Sequence, residues 1–199
     1  MGLKLRTVLT GGIASGKSSA CKILKEYGFS IIDADDIAHK ILADNTDKIV
    51  EIFGKEYVKN GVVDRKKLGK LVFSDKEKKE LLESILHKKI YESIAIEAKK
   101  LTKLKKPYIV DIPLFFEKDG VYEAELTAVV YSPKEQQLKR LMKRMGLNEE
   151  EAKKRLDAQI DIEVKRQKAD IVIDNSKDLT HLQNEIKKFV EILKEKYAY

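Results

Sequence analysis

Eight consecutive residues, Gly11-Gly12-Ile13-Ala14-Ser15-Gly16-Lys17-Ser18, fit the spacing G-x-x-x-x-G-K-[ST] in full. Each residue type has a physical reason to stand there. Glycine admits backbone conformations closed to larger residues, so successive N–H groups can turn inward on phosphate oxygens, aided by the positive end of a following helix. The Lys17 ammonium can reach β and γ phosphates as a point charge, and the Ser18 hydroxyl can ligate Mg²⁺ bridging the same oxygens. The motif implies a nucleoside triphosphate without saying what is done with it. The D-x-x-G and N-K-x-D segments with which a regulatory GTPase senses γ-phosphate and guanine are absent.

Transfer of a phosphoryl group to an alcohol would need further residues. The attacking hydroxyl must be aligned and its proton accepted, so a carboxylate at the end of a neighbouring strand is well placed. Asp33, closing Phe29-Ser30-Ile31-Ile32-Asp33, is that carboxylate, and Asp35 or Asp36 is expected to cap the helix that follows. Asp111, in Ile109-Val110-Asp111-Ile112-Pro113, is placed like an acid that contacts Mg²⁺ directly or through water, or is satisfied at the strand end by backbone N–H groups. Negative charge spreads over the transferred group in the transition state, and guanidinium groups on a closing lid would stabilise it. Arg140 and Arg144, one turn apart, fit this need best, with Arg155 and Arg166 as a second set.

The elements that must position these groups follow from periodicity. Residues 6–10 are β-branched and apolar, end at paired glycines and precede a helical pattern running through Cys21, Ile23, Leu24 and Tyr27 to Gly28. That is the strand, loop and helix the phosphate motif requires. Residues 29–33 read as a second strand. From 34 to 106 helical periodicity prevails, with breaks at Gly54 and Asn60-Gly61, and no strand is expected. The apolar runs 108–112, 127–131 and 171–174 have the continuous character of strands covered on both faces. Helices are expected over 133–144, over 148–168 and from 179 onward; Asn148, followed by three glutamates, reads as an N-cap, with Met145-Gly146 closing the helix before it.

The expected fold is α/β, a three-layer P-loop NTPase with a parallel five-stranded sheet. Segments 1–33, 107–135 and 169–199 would form the nucleotide-binding core, 34–106 a helical acceptor-binding region and 136–168 an arginine-rich lid. Such a plan in a short chain suits a small-molecule kinase.

Composition bounds the reading. Apolar residues at 43% and charged residues at 37% describe a globular chain. No apolar run approaches the roughly 20 residues of a membrane span. The opening residues lack the apolar stretch of an export signal, and Arg6 stands where a myristoylation motif needs Ser or Thr, so a cytoplasmic location without lipid anchor is expected. The single cysteine, Cys21, falls among apolar helix positions and reads as core. The net charge of +7 favours polyanions in general, but most lysines are scattered beside glutamates on helix faces.

Along almost the whole chain the residues resemble dephospho-coenzyme A kinases. Thr10 through Ser18 looks like the family's phosphate loop and Ile32-Asp33-Ala34-Asp35 like its acceptor-side motif. Gly61-Val62-Val63-Asp64-Arg65, with Leu68, Phe73 and His87, resembles the coenzyme-binding region, although Lys88 replaces the usual proline. Asp111-Ile112-Pro113-Leu114-Phe115-Phe116-Glu117 is similar to the strand-end signature, with Phe115 for a more usual leucine. Gln137, Arg140, Arg144, Arg155, Gln159, Ala169-Asp170 and Asn175 continue the likeness.

The resemblance implies transfer of the γ-phosphate of ATP, with Mg²⁺, to the ribose 3′-hydroxyl of dephospho-coenzyme A. It assigns the catalytic role to Asp33 and places Asn175 near the ATP base. Asp33, Asp64, Arg65, His87, Pro113 and Leu114 would contact the acceptor. Both substrates are polyanions, which gives the positive charge a use without nucleic acid or membrane. The nearest alternative is a kinase of the nucleoside-monophosphate or shikimate group. A nucleic-acid-binding ATPase is the rival of another class, and it lacks an RNA-binding signature or an aromatic-interleaved basic stripe.

Overall fold

Strands rich in Val, Ile and Leu alternate with amphipathic helices at both ends of the chain, and this alternation builds a sheet covered on two faces. In the computed structural model, which describes residues 5–118 and 122–198, the elements run β1 (Leu5–Gly11), α1 (Lys17–Glu26), β2 (Ser30–Asp33), α2 (Ala34–Asp44), α3 (Thr46–Phe53), β3 (Val58–Lys59), β4 (Val62–Val63), α4 (Arg65–Ser74) and α5 (Lys76–Lys103). They continue with β5 (Tyr108–Asp111), β6 (Ala124–Tyr131), α6 (Lys134–Met145), α7 (Glu149–Asp157), α8 (Ile162–Lys168), β7 (Ile171–Asp174) and α9 (Leu179–Tyr197). The main sheet is the five-stranded parallel one expected, in the order β2-β5-β1-β6-β7. Two compact units make up the chain, 1–32 with 97–199 and, separately, 33–96.

In the first unit β1 lies between β5 and β6, with Leu9 opposite Asp111 on one side and Ala128 on the other. The core joins Leu9, Ala128, Val130 and Ile173 of the sheet to Leu24 of α1 and to α9. Helix α9 buries Leu182, Ile186, Phe189, Val190 and Leu193, a helical stripe in which each side chain contributes about 1.5–3 kcal/mol when fully buried.

At the end of β7 the Asp174 carboxylate accepts from Ser176 N–H and Oγ, both at 3.0 Å, and lies 2.8 Å from His181 Nε2. Burial pushes its pKa up, but the bonds from Ser176 and His181 outweigh it and leave the group below its ordinary 3.8. A folded value lower than the unfolded one stabilises the fold above the unfolded pKa, and that contribution is lost as pH falls through the folded value. Asp174→Asn is therefore expected to lower the urea midpoint at neutral pH, with the gap to wild type closing below about pH 4.

The second unit contains α2, α3, α4 and a short hairpin absent from the sequence expectation. Its strands β3 and β4 hold two residues each, too short to register as an apolar period. What makes the hairpin is Asn60-Gly61, both with positive φ (52° and 74°), as a two-residue turn matched to strand twist requires. Val63 on one arm is buried and Val62 is exposed, the alternation a half-covered strand needs.

Helix 148–168 of the sequence reading is two helices, α7 and α8. Asn148 caps α7 in a capping box with Glu151, and Asp161 begins α8 by accepting the Glu163 N–H at 2.8 Å. Tertiary contacts described below tie down the backbone of the intervening break.

A candidate nucleotide site at the end of β1

The loop between β1 and α1 is shaped from outside as much as by its own residues. Ser15 N–H bonds back to Gly12 C=O at 3.1 Å, and Ala14 and Gly16 take left-handed conformations with φ of 59° and 100°. For Ala14 that costs roughly 1–2 kcal/mol, which its surroundings must offset. Ile13 and Ala14 pack on a small cluster of Leu141, Ala152 and Leu156 from α6 and α7. The Ile13 N–H donates to Gln159 Oε1 at 2.8 Å, and Asn175 Nδ2 donates to Ser15 C=O at 2.8 Å. A methyl group on Gly16 would collide with that Asn175 amide, so Gly16 serves both the positive φ and the close approach.

Charged groups gather at the same strand ends. Lys17 Nζ lies 2.5 Å from Asp111 Oδ2, which Cys21 Sγ approaches at 3.4 Å. Asp111 is 4% exposed, whereas the Ser18 side chain is open to solvent. Ser18 and Asp111 offer hard oxygen donors, the chemistry Mg²⁺ prefers; among the described residues no cluster of three or more His, Cys, Asp or Glu competes as a metal centre. Thr10 Oγ1 donates to Pro113 C=O at 3.0 Å, fixing the turn after β5, where Leu114 is partly exposed.

The two lid arginines separate. Arg140 is half-buried and donates to Ser132 Oγ (3.1 Å), Gln136 Oε1 (3.2 Å) and Asn175 C=O (3.0 Å), so one guanidinium and the phosphate loop share Asn175 as a neighbour. Arg144 is exposed, and its side chain makes no hydrogen bond or ion pair among the described residues. Arg166 stacks over the Tyr131 ring at 4.8 Å, and Glu163 accepts from Tyr131 OH at 2.6 Å. That bond to Glu163, with burial, raises the Tyr131 pKa.

In the second unit Asp33 is the N-cap of α2. Its Oδ1 accepts from Asp35 N–H (2.9 Å) and Asp36 N–H (3.1 Å), which corrects the expectation that Asp35 or Asp36 would cap this helix. Asx geometry favours the residue at the strand end, because its extended backbone lets the side chain reach N–H groups two and three positions on. Asp64 caps α4 by accepting the Lys67 N–H at 2.9 Å. Arg65 borders a groove with His39, Leu42, Val62 and Val63, while His87 lies half-buried on α5 and does not line it.

Two groups behind the loop, one buried and one partly exposed, carry no site signal in the sequence. Lys165 of α8 is fully buried and reaches toward the loop; its one sequence signal is its position three residues after the buried Ile162. Glu117, its partner, closes the segment 111–117, where its residue type alone gives it no role.

A family model described as dephospho-CoA kinase matches residues 6–181. The chain belongs to the dephospho-CoA kinase family. Dephospho-CoA kinase of Sulfurimonas denitrificans is 47% identical over 197 residues, covering 99% of this chain and 98% of that one. The solved dephospho-CoA kinase of Campylobacter jejuni is 39% identical with a TM-score of 0.75, over 97% of this chain and 98% of its own. Shikimate kinase from Acinetobacter baumannii, at 15% identity and a TM-score of 0.53 over 98% and 96% of the two chains, shares the fold alone.

Proposed function

We propose that this chain transfers the γ-phosphoryl group of ATP to the ribose 3′-hydroxyl of dephospho-coenzyme A, giving coenzyme A and ADP. The observation that carries this reading is an intact phosphate loop, with Lys17 beside Asp111, in a chain that is family-like over nearly its whole length.

In the proposed mechanism the loop's N–H groups and Lys17 bind the β and γ phosphates, and Asn175 holds Ser15 so that the loop keeps its shape. Ser18 and Asp111 would hold Mg²⁺, directly or through water, which neutralises charge on the same phosphates. The 3′-oxygen forms a bond to the γ-phosphorus as the bond to the bridging β-oxygen breaks, and Asp33 accepts the hydroxyl proton. Arg140 and Arg144 offset charge on the transferred group. Asp64, Arg65 and His87, with Pro113 and Leu114, position the acceptor. The nucleotide-binding core of residues 1–33, 107–135 and 169–199, the acceptor region 34–106 and the lid 136–168 divide this labour. The excess positive charge serves these polyanionic substrates, with neither nucleic acid nor membrane as partner, in the cytoplasm. No described helix is long and apolar enough to cross a membrane.

An acceptor screen with ATP and Mg²⁺ tests the reading. ADP release is expected with dephospho-coenzyme A and not with coenzyme A, whose 3′-oxygen is already esterified. Release with a nucleoside monophosphate or shikimate, and none with dephospho-coenzyme A, would assign another acceptor.

A further inference from the structure

The phosphate loop is backed by an ion pair, buried at its lysine and 16% exposed at its glutamate, that no step of the proposed reaction uses. Lys165, with none of its side chain exposed, lies 2.6 Å from Glu117 Oε1 and donates to the Gly11 carbonyl at 3.3 Å. Glu117 Oε1 also accepts the Ile160 N–H at 3.2 Å, at the break between α7 and α8, one residue after the Gln159 that accepts from Ile13. Four segments therefore converge on one carboxylate and one ammonium: the end of β1, the turn after β5, the break and α8.

Burying a charge pair costs several kcal/mol per ion, and its mutual attraction repays this only with excellent geometry, so such a pair is weak evidence for stability. Its position suggests another use. In a trans peptide the C=O and the following N–H point to opposite sides. Holding the Gly11 carbonyl inward on Lys165 fixes the direction of the Gly12 N–H and, through Gly12, the start of the loop.

We propose that Lys165, set by Glu117, is a positioning residue for phosphate binding: it orients the first peptide of the loop without touching the nucleotide. The proposal rests on the reading of Gly11–Ser18 as the nucleotide site, and binding of ADP to the wild-type chain tests that reading separately.

Lys165→Met alone strands Glu117 and can unfold the chain. The deciding variant is Lys165→Met with Glu117→Gln, which removes both charges at nearly constant volume and keeps an acceptor for Ile160. By titration calorimetry with Mg²⁺, the double variant is expected to stay folded while its Kd for ADP and ATP rises about tenfold, with AMP changed by less than about threefold. Glu117→Gln alone retains Lys165 and should lie between. A double variant that binds ADP like wild type would reduce the pair to a structural contact, and one that fails to fold would assign it to core stability; either result overturns the proposal. If wild type itself binds no ADP, the nucleotide reading fails before the variant is reached.

Discussion

Asp33→Asn is expected to lower kcat by roughly 10² or more, the scale of a lost general base, with ATP affinity and thermal midpoint close to wild type. The structure makes this substitution unusually discriminating because Asp33 holds two posts. Both capping bonds fall on Oδ1, and Oδ2 has no hydrogen-bond partner among the described residues. Asparagine caps a helix about as well as aspartate, so the carboxamide preserves the start of α2 while lacking the capacity to take a proton. Asp33→Ala would remove both functions and confuse them, losing about 1 kcal/mol of stability as well. Steady-state kinetics with a coupled ADP assay decides the matter: a kcat within about threefold of wild type in Asp33→Asn would leave Asp33 as a cap alone.

Gly16→Ala should abolish useful nucleotide binding. Two penalties coincide at this position. A side chain at φ 100° is strained at roughly 1–2 kcal/mol, and the new methyl group displaces the buried Asn175 amide from Ser15. Once the Ser15 peptide is released, the amides that face phosphate lose their common aim. With each charge-assisted bond contributing about 1.5–3 kcal/mol, misdirecting two of them weakens ADP binding by at least about 10². Gly28→Ala is the control, because Gly28 has φ 88° with nothing within 4 Å of the added methyl. It should show only the part of the stability loss that comes from backbone strain, with unchanged affinity for ADP. Equal affinities in the two variants would mean that the Asn175 contact does not govern the loop.

The elements legible in advance were those whose signal is local. The five main strands could be placed because each is a continuous apolar run bounded by a charge, glycine or proline, and the phosphate loop because its spacing is nearly unique. Two features escaped because their causes are not periodic. The β3–β4 hairpin rests on one Asn-Gly pair with two-residue arms, and the break at 158–161 exists because Gln159 and the Ile160 N–H find partners in distant segments. The site was legible in kind more than in support. Residue types announced Lys17, Ser18, Asp33 and Asp111, but no spacing tells that Asn175 would hold Ser15, or that a lysine on α8 would lie wholly buried against Gly11. Side chains that contact the loop through tertiary packing leave no signature in the neighbouring sequence.

That dependence has a consequence for synthesis on the ribosome. The amino-terminal loop is held by residues 146 and 160 positions downstream, and contacts of such range form late, after most of the chain is available. A nascent chain, however long its helices, would emerge with its glycine loop unshaped and blind to cellular ATP until the last strand is made. Competence to bind nucleotide thus waits until Asn175 has been added.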